Sequence, residues 1–208
     1  MRIAPLFLVA LSAAAPLLVL GAQPAAAAPA LGQPAPAFTA RDADGKVRSL
    51  SEFAGKTVVL EWSNEGCPYV QKHYGSGSMQ SLQKTATADG VVWLTIVSSA
   101  PGAQGYLTPD RAKTWKASNK AASTDLLLDP EGKVGRAYVA KTTPHMFVID
   151  AAGKVAYMGG IDDRPTTSPA SLKGARNYVA LALADLKAGR PVANPVSQPY
   201  GCSVKYAG

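Results

Sequence analysis

Cysteine and histidine are scarce, with two of each in 208 residues. Cys67 and Cys202 lie 135 positions apart, so at most one disulfide can form within the chain. His73 and His145 are too few to build a histidine-rich metal site by themselves. Basic residues outnumber acidic ones by 21 to 14, yet no run of Lys or Arg and no basic aromatic stripe concentrates them. That pattern excludes nucleic acid as the expected partner and leaves the net charge of +7 as a solubility property. No internal repeat is visible. No cofactor is expected.

One long apolar run is present, at the very start. Met1-Arg2 precedes Ile3 to Leu20, followed by small residues and the A-x-A triplet Ala25-Ala26-Ala27. These features predict a secretory signal peptide over 1–27 and therefore export to a periplasmic or extracellular space, with no membrane association after cleavage. An uncleaved anchor is the alternative, disfavoured by Pro5, Ser12 and Pro16 within the run. Beyond it come an extended leader over 28–36, a folded region over 37–189 and an extended tail over 190–208 that carries Cys202.

The folded region reads as alternating strands and helices. Phe38 to Arg41 and Lys46 to Arg48 flank the turn Asp42-Ala43-Asp44-Gly45, and Ser49 to Glu52 has capping-box spacing for one helical turn. A buried strand is predicted over Thr57 to Leu60. Helical turns follow over Tyr69 to Tyr74 and Met79 to Ala88, separated by Gly75-Ser76-Gly77-Ser78 with Ser78 as cap. Val91 to Val97 is a continuous apolar run suited to a central strand, parallel to the first. Thr108-Pro109 starts a helix to about Asn119, Leu126 to Asp129 is a short strand, and a brief helix follows Pro130. His145 to Asp150 and Lys154 to Gly159 form a hairpin, and Lys173 to Lys187 is the last helix.

The chemistry centres on Glu61-Trp62-Ser63-Asn64-Glu65-Gly66-Cys67-Pro68-Tyr69-Val70. A proline just inside a helix start loses no hydrogen bond, so Cys67 is predicted at a strand-to-helix junction. Backbone N–H groups and the positive helix end favour a thiolate there, making an accessible and reactive sulfur. Cys202, in Tyr200-Gly201-Cys202-Ser203, is the one internal thiol able to resolve a mixed disulfide or sulfenic acid on Cys67. A permanent Cys67–Cys202 staple is the alternative. Glu61 and Glu65 are candidate proton acceptors, and Tyr69 and Trp62 candidate walls of the groove or of the core. His73 and His145 could join Cys67 in a copper site or favour its thiolate, though no metal is the preferred reading.

These residues, with Thr142-Thr143-Pro144-His145 and Gly159-Gly160-Ile161-Asp162-Asp163, resemble the thioredoxin superfamily, specifically its redoxin branch of peroxiredoxin-like and thiol-specific-antioxidant proteins. The resemblance covers about Leu31 to Tyr206. It implies an α/β fold with a central mixed sheet flanked by helices, extended by an N-terminal β-hairpin and the C-terminal tail. It also implies a cis Thr143–Pro144 bond facing Cys67, with Thr143 and Pro144, Asn64 and Tyr69 meeting a substrate. The activity implied is thiol–disulfide exchange with a protein partner, or thiol-dependent reduction of a peroxide. Two departures matter. Val70 stands where thioredoxins carry a second cysteine, and Leu60, Asn64 and Pro144 stand where peroxiredoxins carry a peroxide-activating proline, threonine or serine, and arginine. Arg136 and Arg164 are the candidate substitutes for that arginine. A non-catalytic binding or structural module on the same fold is the runner-up, and a copper carrier comes third.

Overall fold

The computed structural model describes residues 28–208; the expected signal peptide over 1–27 lies outside the described residues. In chain order the elements are β1 (Thr39–Asp42), β2 (Val47–Ser49), β3 (Val58–Trp62), α1 (Pro68–Gly75), α2 (Ser78–Ala88), β4 (Val92–Val97), α3 (Pro109–Ser118) and β5 (Asp125–Leu128). They continue with α4 (Lys133–Ala137), β6 (Thr142–Thr143), β7 (His145–Ile149), β8 (Val155–Gly159), α5 (Tyr178–Lys187) and β9 (Cys202–Ser203).

Seven strands form one sheet in the order β2-β1-β5-β4-β3-β7-β8. β3, β4 and β5 run parallel, β7 and β8 antiparallel to the neighbours that precede them, and the β1–β2 hairpin extends the β5 edge. This is the mixed sheet that the alternation predicts, because helices crossing between parallel strands must cover both sheet faces. β3 and β4 are buried at every residue. Their side chains alternate between two cores: Val58, Leu60 and Trp62 pack with Leu94, Ile96 and Phe147 on one face, while Val59 packs with Trp93, Val97 and Met146 on the other. Truncating Leu60 or Leu94, both fully buried, to alanine would cost about 2–5 kcal/mol.

Three expected boundaries move. β3 runs on through Trp62, which takes Glu61 out of the predicted loop and into the sheet on the Val59 side. Ser78 is the first residue of α2 and not its cap. Gly77 holds that place at φ 77°, a left-handed conformation that glycine adopts without a Cβ penalty, and the Ser78 hydroxyl instead donates to His73 O. α5 begins at Tyr178, not Lys173, because Asn177 Oδ1 accepts from Ala180 N (2.9 Å) while Gly174 at φ 72° breaks the chain before it. No helix of the described residues is long and apolar enough to cross a membrane.

The tail is extended, as its prolines predict, but it is tied down along its length. Met158 N donates to Pro195 O and Ser197 N to Met158 O beside β8, and the Ser197 and Tyr157 hydroxyls meet at 2.6 Å. A Cβ on Gly159 would sit 2.4 Å from Ser197 O, so a glycine is needed where the tail passes. Farther on, β9 pairs antiparallel with β6 in a separate two-stranded sheet, matching Thr143 with Cys202 and Thr142 with Ser203. Ala100 N then donates to Lys205 O (2.8 Å), the Tyr206 hydroxyl to Ala140 O (2.8 Å) and Arg136 to Ala207 O (2.6 Å).

Candidate functional site

Cys67 caps α1 with Pro68 directly after it, at the C-terminal end of β3. The Thr143–Pro144 bond is cis, as the resemblance implies. Cys67 Sγ lies 3.0 Å from Thr143 O and 2.8 Å from Cys202 Sγ. Both cysteines are free thiols. Residues 135 positions apart are thus brought within reaction distance by the β6–β9 pairing.

The two thiols are electrostatically unequal. Burial pushes the Cys67 thiol up, but its hydrogen bonds with Cys202 and Thr143 and those of the Val70 and Cys202 backbones outweigh it, so its pKa falls below the ordinary thiol value. Burial, together with the hydrogen bond to Cys67 and its charge, pushes Cys202 up to about 11. Cys67 is therefore the thiol of the pair that ionises first. The helix N-terminus contributes its free amides in the expected way.

One expectation fails outright: Cys67 is not accessible. Its exposure is 0%, because the tail strand lies over it and Cys202 itself forms part of the cover. A strand-to-helix junction predicts an exposed sulfur only when nothing crosses the rim, and the tail crosses it here. Asn64 also departs from its expected substrate-facing role. Its Nδ2 donates to Gln104 O (3.1 Å) and its Oδ1 accepts from Gly66 N (2.9 Å), so both ends of the amide brace the loop before Cys67. Tyr69 borders the tail, its ring 5.7 Å from that of Tyr200. Trp62 takes the core alternative, packing inward against Tyr138 and Phe147.

Glu61 is 0% exposed and collects four donors: Tyr74 Oη (2.9 Å), Gln83 Nε2 (3.1 Å), Trp93 Nε1 (2.8 Å) and Thr95 Oγ1 (3.3 Å). Desolvation raises its pKa despite those bonds. Two of its donors, Tyr74 and Trp93, belong to the same core cluster as Cys67, which puts the carboxyl on the Cys67 face of the sheet. Glu65, by contrast, is surface-paired with Arg111.

Neither histidine hydrogen-bonds to a sulfur. His73 joins the Tyr200 hydroxyl and Ser78, and His145 Nδ1 accepts from Lys141 N (3.2 Å). Burial lowers both to about 4, leaving them neutral at pH 7. Arg136 reaches Glu131 O and Ala207 O, and Arg164 reaches Asp163 and Gly174 O, so neither guanidinium hydrogen-bonds to Cys67 or Cys202. Sequence reasoning missed the residues that hold the tail: Tyr200 two places before Cys202, and Lys72 and Asp162, which meet it. The pair Lys72-His73 so soon after Cys67, and the motif around Asp162, were the available signals.

Residues 31–158 match the model of the AhpC/TSA family. Among solved structures, an uncharacterized conserved protein from Geobacillus kaustophilus is similar at 26% identity and a TM-score of 0.72, covering 86% of this chain and 93% of its own. A hypothetical protein from Sinorhizobium meliloti has 23% identity and a TM-score of 0.73, over 86% of this chain and 95% of its own, and shares the fold. A putative thiol:disulfide interchange protein DsbE from Chlorobium tepidum has 25% identity and a TM-score of 0.52, over 63% and 85% of the two chains. No curated protein matches. The family match takes in Cys67 and stops short of the tail with Cys202, while the sheet order, the cis proline and the cysteine at the helix start are those of a thioredoxin-like redox fold: the chain belongs to the AhpC/TSA family, on the redoxin branch of the thioredoxin superfamily.

Proposed function

We propose that this chain is an exported thiol–disulfide oxidoreductase in which Cys67 is the nucleophile and Cys202 the resolving thiol. The observation that carries this reading is the 2.8 Å approach of the two sulfurs across a strand pair that ends at the cis proline. The Cys67 thiolate attacks one sulfur of a partner disulfide, forming a mixed disulfide and expelling the other sulfur as a thiolate that takes a proton from solvent. Cys202 then gives up its proton, with Glu61 a candidate acceptor, and attacks Cys67 Sγ. The second partner thiolate leaves and the Cys67–Cys202 disulfide remains. Two electrons have passed from the cysteine pair to the partner, and a dithiol reductant resets the pair.

Exchange is favoured over peroxide reduction by what surrounds the sulfur. Developing charge on a peroxide oxygen calls for donors held at the site. Asn64 has its amide engaged, and the candidate arginines bind elsewhere. Export is supported by Arg2, the apolar run Ile3 to Leu20 and Ala25-Ala26-Ala27. Terminal sequencing of the mature protein tests that part: a first residue near Ala28 is expected, and an intact Met1 on the exported protein refutes it.

Variants of the two cysteines test the chemistry. In a disulfide-reduction assay Cys67→Ser should abolish turnover, and Cys202→Ser should also stop turnover but accumulate a mixed disulfide on Cys67, visible by intact mass. Turnover that survives Cys67→Ser overturns the proposal. So does a thiol pair that stays reduced in excess oxidised glutathione, which would leave a structural module.

A further inference from the structure

Beside the cysteine pair sits a cluster that the exchange reaction does not use. Lys72 and His73 on α1 and Asp162 beyond β8 are 2%, 1% and 3% exposed. Among the described residues Asp162 Oδ2 has no hydrogen-bond partner, with His73 Nε2 at 3.8 Å and Lys72 Nζ at 4.0 Å. Taking such groups out of water is costly unless something fills the remaining bonds. Here one phenol bridges all three groups, while Arg164 N also donates to Asp162 Oδ1 (2.8 Å) and Oδ2 stays open. The Tyr200 hydroxyl donates to Asp162 Oδ1 and lies 3.3 Å from Lys72 Nζ, which donates to it, and 3.2 Å from His73 Nε2. Lys72 Nζ also donates to Arg164 O (2.7 Å) and sits 5.1 Å from the Tyr200 ring centre, while Tyr69 flanks the ring.

The next two positions are read as closely. Gly201 has φ 137°, and a Cβ there would lie 2.1 Å from Thr143 O, so the groove admits no side chain. Cys202 follows, in register with Thr143 and facing Cys67. Phenol, bare backbone and sulfur are therefore recognised in succession along an extended strand. Since Cys67 is fully covered while the tail is seated, a partner reaches it only after the tail leaves, and what it then meets is a groove shaped to Tyr-Gly-Cys.

Resting on the exchange reading above, we propose that Lys72, His73 and Asp162 form a tyrosine-hydroxyl subsite that selects extended Tyr-Gly-Cys segments of a partner protein, with Tyr200 as its built-in occupant. Phenylalanine fills the same volume but leaves Asp162 and Lys72 without their shared partner, and sites built around a substrate hydroxyl reject the analogue that lacks it. Phosphotyrosine is excluded because its charge would face Asp162.

Two assays on the full chain separate this proposal from the one it rests on. In Cys67→Ser, the rate of Cys202 alkylation by iodoacetamide reports tail displacement. The peptide acetyl-Tyr-Gly-Ser-Ser-amide should accelerate it saturably in the millimolar range, where a tethered tail competes. The Phe-Gly-Ser-Ser peptide should need at least about tenfold more, and Asp162→Asn should erase the difference. In Cys202→Ser, Cys67 is presented with Tyr-Gly-Cys-Ser, Phe-Gly-Cys-Ser and Tyr-Ala-Cys-Ser peptides activated as thionitrobenzoate disulfides. Attack joins Cys67 to the peptide sulfur and releases thionitrobenzoate, and the first peptide should react at least about tenfold faster than the others. Equal effects of the Tyr and Phe peptides in the alkylation assay, or no effect of either, overturn the subsite whether or not Cys67 exchanges. Failure of Cys67 to release thionitrobenzoate from any peptide, with displacement still selective, overturns exchange and leaves the subsite standing.

Discussion

Oxidation of the Cys67–Cys202 pair is the perturbation with the largest expected consequence for stability. The bond would close a loop spanning 135 positions. In the chain-entropy model a closure of that length removes about 17 cal/mol/K from the unfolded ensemble, or roughly 5 kcal/mol at 25 °C. The β6–β9 register already holds Thr143 against Cys202 in the dithiol form, so little of this is lost to moving the backbone. For a chain of this size each kcal/mol raises Tm by about 2–4 °C, which predicts a separation of roughly 10–20 °C between oxidised and reduced protein. Scanning calorimetry of the two forms measures it, with the double variant Cys67→Ser and Cys202→Ser, which has no thiol to oxidise, as the baseline. Oxidised and reduced melts within about 3 °C of each other would refute the reasoning, since the tail would then be held no better by the bond than without it.

Three further outcomes follow from buried groups and one close approach. Glu61 holds its proton to higher pH in the folded chain than in the unfolded one, so the folded state binds more protons above about pH 4.5 and stability declines as pH rises. Glu61→Gln, whose amide oxygen can still accept from Trp93 and Gln83, should remove that slope: urea midpoints converge with the parent near pH 4, and the variant is more stable at pH 8. His145 behaves oppositely, because its folded pKa of about 4 lies under the ordinary 6.5, and the unfolded chain takes up the proton first as pH falls. That difference corresponds to about 3 kcal/mol lost between pH 6.5 and 4, and His145→Asn, which keeps an acceptor for Lys141 N, should recover most of it in acid urea titrations. Gly201→Ala places a methyl group against Thr143 O and should unseat β9, seen as about tenfold or faster alkylation of Cys202 in a Cys67→Ser background.

Local signals made most of the scaffold readable. The β-branched apolar run Val91 to Val97 predicts a strand buried on both faces, and β4 is that strand. Pro68 sets Cys67 at the start of α1, and the hairpin pattern gives β7 and β8. Asn177 is not legible as the cap because the helical pattern already begins at Lys173, and sequence spacing does not say which start wins. The cover over Cys67 lay beyond reach for a different reason. A tail with Pro191, Pro195 and Pro199 has no period to assign it to a face, and its seat is assembled from α1, the Thr143 edge and the loop at Asp162. Each of those pieces has an ordinary local reading, and it is their convergence on Tyr200 that sequence alone does not show.

Under the exchange proposed above, a nucleophile with 0% exposure is workable because the tail that buries Cys67 also carries the resolving thiol. β6 and β9 pair over two residues each, with Ser197 and the Tyr200 phenol bonded upstream and Val204 to Ala207 bonded downstream, so lifting the tail breaks those contacts but none of the ladder bonds of the seven-stranded sheet. The first step then proceeds from the fraction of molecules with the tail lifted, and that fraction scales the apparent affinity for any partner. The second step runs the other way: once Cys67 carries a mixed disulfide, return of β9 to the Thr143 edge brings Cys202 to the bonded sulfur as an intramolecular attacker. A tighter tail therefore slows entry and hastens resolution. The tail, with Cys202 partly exposed and Tyr200 hydrogen-bonded among the buried Lys72, His73 and Asp162, sits between those demands.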